Sequence, residues 1–337
     1  RDTMKRIVAL FLCIFLLIGC SEKGVSIEKT SKDFNLYEGK SIAKEFMKNL
    51  VQERYEENRT LLVTEEANNV INQSNTLKIV SYNLKEEVEI GEKGEYTFGI
   101  IRCDLLEGYS SYETIKIKVE RQDDQYKIVE VSPLTEGELV KDGDEVRVRF
   151  KNDARNYLVL NKFSLPQYDI NKEDNVEINK VKINTDNIIT LTLGFDVEEG
   201  IVTTYDKDSY IFTFDIENQW NKEEKADSDT PIGTKVNCLD ILKNKKVEFV
   251  AYSPKEKYIL VQYSSDGNKG IAAYFAKNRD KVDFDFEKEF PLEENDITYI
   301  DFDEEYLYYK VKNRKSNHEE NYKLNLENYE NKKVEGV

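Results

Sequence analysis

The strongest constraint on the fold lies in the second half of the chain, where one pattern of short strands is written three times. Each copy runs from a hydrophobic strand through an acidic turn to a strand rich in Tyr and Ile, then through a polar hairpin to a further strand. The copies span Ile188 to Asn218, Val247 to Asn278 and Ile297 to Asn328, with starts 59 and 50 residues apart. Short strands at regular spacing with turn signals between them predict a region of small antiparallel meanders. A weaker fourth copy reads from Val146 to Asn175. Together the copies predict an all-β repeat domain over residues 144–337.

Within the second copy, Phe249-Val250-Ala251-Tyr252-Ser253-Pro254-Lys255-Glu256-Lys257-Tyr258-Ile259-Leu260 resembles a blade segment of TolB-like β-propellers, in which a Ser-Pro turn leads into a Tyr-rich strand. The resemblance implies a propeller-like domain. Closure is the difficulty, because four blades of this length are at the lower end of what closes a propeller and fewer leave sheet edges needing cover. An irregular β-sandwich is therefore the alternative. Asn221 to Asp229, highly charged and without a strand pattern, reads as an exposed loop.

The first half reads differently. Ile42, Ala43, Phe46, Met47, Leu50 and Val51 form a paired apolar stripe at four-residue spacing, which predicts an amphipathic helix from Gly39 to about Asn58. Thr64, followed by Glu65 and Glu66, is placed to cap a second helix running to about Gln73. The period then changes to two: Val80, Tyr82, Leu84, Val88 and Ile90 alternate, and Tyr96 to Leu106, Tyr112 to Glu120 and Tyr126 to Val131 supply three more strands. Phe46, Leu50, Val80, Tyr82, Ile117, Val119, Tyr126 and Ile128 are the expected core. Two helices and a four-stranded meander closing on Asp124-Gln125-Tyr126-Lys127-Ile128-Val129-Glu130-Val131 resemble the NTF2-like (cystatin-like) domains. This implies an α+β N-terminal domain over residues 35–134, with two helices on a curved antiparallel sheet that leaves room for a pocket. Pro133 to Gly143, polar and turn-rich, is the expected joint between the domains.

Ahead of both domains stands an address. After Met4, Lys5 and Arg6 precede Ile7 to Ile18, twelve residues without a charge. As a helix that run is about 18 Å long against a hydrocarbon core of about 30 Å, so it reads as a signal peptide and not a span. Leu17-Ile18-Gly19-Cys20 resembles the lipobox of bacterial lipoproteins. The resemblance implies removal of residues 1–19, acylation of Cys20 including palmitate, and attachment to the outer face of a cell membrane by chains that together anchor stably. Residues 20–34 then read as a lipidated tether, rich in Ser, Lys, Glu and Gly.

Chemistry is sparse. The chain carries 49 Lys and Arg against 66 Asp and Glu, a net charge of −17. Arg1, Asp2, Lys5 and Arg6 contribute +2 of this, leaving −19 after signal removal. Such a surface repels nucleic acid and suits soluble or basic partners. His318 is the one histidine and sits in a polar hairpin, so no usual nucleophile and base pair, zinc site or haem site is expected. The Ser-x-x-Lys spacing occurs at Ser26 to Lys29 and at Ser41 to Lys44 without its partner motifs. Cys103 and Cys238 lie in different predicted domains and in apolar surroundings, and are expected as free thiols. Asp283, Asp285 and Glu287, and Asp301, Asp303, Glu304 and Glu305, largely alternate with aromatic residues as structural acids of a half-buried strand do. Tyr299, Tyr306, Tyr308 and Tyr309 fit either the core or a face on which sugars stack.

No catalytic, cofactor or metal residues are assigned. The expected function is a membrane-anchored module that binds or assembles an exported protein or a wall component. The alternative is an envelope hydrolase working through two carboxylates, a chemistry that needs no histidine.

Overall fold

A computed structural model describes residues 34–64, 77–170, 180–219 and 226–335. Cys20, the lipobox, the tether up to residue 33 and Ser26 to Lys29 lie outside the described residues, as does the helix expected beyond Thr64, whereas Phe34, expected as the tether's last residue, is buried in the core as an apolar ring. Phe34–Val337 is one compact unit.

Helix α1 spans Leu36–Val51. Its start is set by Asn35, whose Oδ1 accepts from the backbone N–H of Tyr37 at 3.0 Å and of Glu38 at 3.4 Å. The apolar stripe buries Ala43, Phe46, Met47 and Leu50 as its spacing predicts. The helix does not run to Asn58. Glu53 takes a φ of 58°, the chain breaks, and a second helix, α2, covers Tyr55–Leu61. Asn58 explains the break, since it is fully buried and its Nδ2 donates to the Phe46 carbonyl at 3.1 Å, which folds α2 back onto α1.

Strands β1 (Leu77–Ile90), β2 (Lys93–Asp104), β3 (Tyr109–Gln122), β4 (Gln125–Asp142), β5 (Glu145–Phe150) and β6 (Asn156–Asn161) form one antiparallel sheet in sequence order. Alternation gives it two apolar faces. Phe98, Ile100, Ile115, Ile117 and Val119 pack with Phe46 and Leu50 of α1 in one core. Ile101, Cys103, Tyr112, Leu139 and Val146 point the other way, into a larger core shared with the following strands. Val80 is buried as expected but belongs to that second core, because β1 bulges between Ile79 and Ser81.

The expected joint at Pro133 to Gly143 is not one. Through Asp142 it is the second half of β4, which pairs with β3 over most of its length and with β5 from Gly137 onward. Pro133 sits in the half with a single neighbouring strand, where a proline is tolerated.

The three clear copies of the repeated pattern are three separate meanders. Strands β9 (Ile188–Leu193), β10 (Glu199–Tyr205), β11 (Ser209–Ile216) and β12 (Gly233–Leu242) form the first. Strands β13 (Lys246–Tyr252), β14 (Tyr258–Ser265) and β15 (Asn268–Phe275) form the second. Strands β16 (Asn295–Phe302), β17 (Tyr306–Asn313), β18 (Glu319–Asn325) and β19 (Asn331–Val334) form the third. The first strand of each, β9, β13 and β16, touches the back of the six-stranded sheet. The region is mostly β and propeller-like, with one short helix at Phe286–Glu289 and a 3-10 turn at Phe195–Val197.

The weaker fourth copy is no meander of its own. Its β5 and β6 extend the large sheet, and β7 (Tyr168–Ile170) pairs with β8 (Lys180–Lys182). Val146, Val148, Tyr157 and Val159 explain the placement, since all are buried in the larger core as continuations of the sheet's apolar face. The expected loop at Asn221 to Asp229 is described only from residue 226. There Ser228 accepts from Leu158 N–H at 2.8 Å, while Leu158 accepts from Ile232 N–H at 2.9 Å, so the segment covers the outer edge of β6.

Candidate functional site

The C-terminal ends of β13 and β16 meet side chains from β1 along one seam. Tyr82 Oη donates to Asp301 Oδ2 at 3.3 Å, and Asn83 Nδ2 donates to the Pro254 carbonyl at 3.0 Å. Lys85 Nζ pairs with Asp196 at 2.8 Å, in a tight turn after β9 where Asp196 and Val197 take φ of 78° and 61°. Two residues before Tyr82 and Asp301 on their strands, Tyr299 Oη donates to the Val80 carbonyl at 3.0 Å. Gly137 makes room for that turn, since a Cβ there would lie 2.7 Å from a Val197 methyl.

Burial perturbs the acids of this seam. Asp301 is only 4 % exposed, and loss of water pushes its carboxyl up to about 7 despite the Phe302 N–H at 2.7 Å. Glu256 accepts from Phe195 N–H at 2.7 Å, yet desolvation first and the charge of Glu199 second push it to about 7. Glu199 is itself raised, by burial and then by Asp215. Tyr82 and Tyr252 are held well above their ordinary value by burial, so both are neutral hydroxyls at physiological pH.

Past Asp301, from Phe302 onward, the seam opens into a groove of about 540 Å³, walled by Tyr258, Tyr306, Lys257 and Glu327 among others, with Asp301 itself outside the lining. A cleft of about 110 Å³ adjoins it and reaches Lys44, Tyr82 and Phe98, with Pro254, Lys255, Phe302, Asp303 and Glu304 common to both. Glu304 stands between Lys255 at 3.0 Å and Lys44 at 3.9 Å, and the hydrogen bond from Lys255 holds its carboxyl below the ordinary range. Asp303 accepts from Tyr308 Oη and from the N–H of Tyr306, each at 2.7 Å, and so shapes the loop that forms one wall. Asn83 Oδ1 lines the cleft region as a buried acceptor with no hydrogen-bond partner. The groove thus offers aromatic rings and paired charges, a surface suited to a polar ligand with apolar parts.

The tyrosines singled out in the sequence divide between two environments. Tyr299 and Tyr309 are buried, and Tyr309 stacks on Tyr322 with ring centroids 5.5 Å apart. Only Tyr306 stands in the groove wall, so the four do not form one stacking plane. His318 is exposed in the β17–β18 turn, 2.9 Å from Glu320. Ser41 donates to the Tyr37 carbonyl within α1, whereas Lys44 faces Glu304. Asp285 caps a short helix, α3 (Phe286–Glu289), and Glu287 pairs with Lys245. Among the described residues neither Cys103 nor Cys238 forms a disulfide, and burial pushes the Cys103 thiol up to about 11, away from reactivity. Glu199 and Asn83 escaped sequence reasoning, while Tyr82 and Glu256 were read only as a core residue and as part of the blade segment. The Ser-Pro turn was the available signal for Glu256, which stands two residues after Pro254.

Among the described residues no group of three or more His, Cys, Asp or Glu is placed to hold a metal, and no helix is long and apolar enough to cross a membrane. No protein-family model matches the chain, and none of the curated proteins does. Among solved structures, TolB from Acinetobacter baumannii is similar at 13% identity and a TM-score of 0.34, over 72% of this chain and 58% of that one. The β-propeller domain of Swd1 from Myceliophteria thermophila is similar at 11% identity and a TM-score of 0.30, over 71% of this chain and 98% of that one. A xyloglucanase from Xanthomonas campestris is similar at 7% identity and a TM-score of 0.33, over 77% of this chain and 45% of that one. These are distant likenesses, and the propeller-like description of the β region rests on its own strand order.

Proposed function

We propose that this protein is a lipid-anchored module of the cell envelope that holds an exported protein or a wall component in the groove past Asp301. The observation that carries the reading is the groove itself, which spans β1 and α1 on one side and two meanders on the other. A ligand seated there touches both halves of the molecule, the usual place for recognition. The address is supported by the lipobox Leu17-Ile18-Gly19-Cys20, with Cys20 as the acylated residue.

A second reading is a carboxylate-dependent hydrolase, favoured by the raised carboxyls of Asp301 and Glu256. Against it, Asp301 is capped by Tyr82 and the Phe302 N–H, so a substrate would have to displace both.

The test is capture from envelope extract by the full chain, run beside a screen for turnover of wall glycans and peptides. Saturable capture that is lost in Tyr306→Ala and Lys255→Glu, without turnover, supports binding. Turnover abolished by Asp301→Asn in a protein that still folds would replace it with the hydrolase.

A further inference from the structure

A second concave surface runs from the starts of β9 and β13 across to β1 and β16, where Val80 and Tyr299 line it two residues before Tyr82 and Asp301. It consists of two hollows, of about 460 Å³ and about 500 Å³, which meet at Leu105 in the turn between β2 and β3. We infer that they form one groove for an extended, acidic peptide segment of a partner protein, with apolar side chains as anchors.

Charge is the first argument. In a chain of net charge −17, this surface is lined by Lys78, Lys141, Lys246, Lys269 and Lys310 against Glu53, Glu107 and Glu248. Lys78 and Lys269 are already balanced by Glu53 and Glu248, each at 3.1 Å, and Lys310 is paired with Glu319. Lys141 donates to the Ile188 carbonyl and Lys246 lies over the Tyr205 ring. Among the described residues neither has a carboxylate partner, so the local balance is the reverse of the molecule's. An acidic ligand gains there what a basic one loses.

Shape and unused hydrogen-bonding capacity are the second and third arguments. Leu106, at the tip of the same turn, is 80 % exposed, and Phe249 and Tyr299 form an aromatic pair in the wall of the first hollow. Such sites take apolar anchors. Thr190, only 5 % exposed, lines the second hollow, and its Oγ1 has no hydrogen-bond partner. Gln52 lines the first, with Nε2 buried and equally without one. Nearly all buried polar atoms in proteins are paired, and these two, closed off in the walls, are met by a ligand's carbonyl and amide groups only once their side chains rotate outward. A peptide backbone supplies both at every residue, with side chains alternating to the two sides. A nucleic acid, with a charge on every phosphate, is disfavoured by the net charge of the whole chain.

The inference stands apart from the function proposed for the other groove and is tested separately. Fluorescence anisotropy would follow a fluorescein-labelled peptide alternating Glu with Leu, and its Lys-for-Glu counterpart, on the full chain. Saturable binding of the acidic peptide alone is expected, weakening as salt rises and falling roughly tenfold in Lys246→Glu and in Leu106→Asp. Both changes lie on exposed side chains, and a thermal melt checks folding. Lys255→Glu, in the other groove, should leave this binding unchanged. No saturable binding, equal binding of the two peptides, or insensitivity to both substitutions would overturn the proposal.

Discussion

Asp301 shows how a single residue couples the seam to pH. Its ordinary value is 3.8 and the folded protein raises it to about 7, so the folded state holds the proton more tightly than the unfolded chain. The stability that follows is complete below about pH 4 and is lost as pH rises toward about 7. Glu256, raised to a similar value from 4.5, acts in the same direction, although its partial exposure weakens the effect. Asp301→Asn keeps an oxygen for the Phe302 N–H and presents an amide to Tyr82, with no charge to bury. Urea midpoints measured across that range should decline for the native chain and decline less for the variant; parallel curves would remove Asp301 from the linkage. Phe46 makes a simpler point. It is fully buried under the sheet, and Phe46→Ala should cost about 3 to 5 kcal/mol in chemical denaturation.

At the scale of elements, β4 decides the architecture. The Pro133 to Gly143 segment looks like a joint because proline, glycine and acids mark turns, yet its Leu139 is fully buried in the larger core, and a bulge opposite Tyr112 and Glu113 lets the same strand bury Val131 in the other one. Composition signalled a break, while pairing with β3 and then β5 made a bridge. Gly137 is the contact point, because both Val197 methyls approach within 2.8 Å of where its Cβ would stand. Gly137→Ala should therefore cost about 1 to 3 kcal/mol by overpacking. Val197→Ala in the same molecule should recover part of that loss, and the coupling can be read from a double-mutant cycle. Additive losses would mean that the turn after β9 yields freely.

At the scale of the whole molecule, the three meanders do not close on a fourth copy of themselves. The back of the six-stranded sheet faces β9, β13 and β16, and one apolar core runs through both halves. That arrangement gives the edge problem a physical answer: the sheet acts as the missing wall, and residues 226–232 cover the edge of β6. The proposed anchor is also a property of the whole. Cys20→Ala should move the protein from the membrane to the soluble fraction after a high-salt wash, and persistence on the membrane would show that Cys20 is not the anchor.

Local patterns that depend on few neighbours were legible in the sequence. The stripe of α1, the alternation of β2 and β3 and the starts of the three meanders follow from periods of 3.6 and 2, whereas β12 and β19 lie beyond the expected ends of their copies, and Val88 and Ile90 of β1 are exposed. Tyr306 in the groove wall and the acids from Asp301 to Glu304 were visible as residues, though not as parts of one place. What only the tertiary structure decided is which faces meet. Val80 turned to the second core at a bulge, Asn58 folded α2 back, and Tyr82 came to Asp301 from 219 residues away in the chain. Burial of that carboxyl, and with it the raised proton affinity, is created by surfaces from distant segments excluding water together. A linear sequence determines what each segment must hide, whereas the packing determines what it is hidden against.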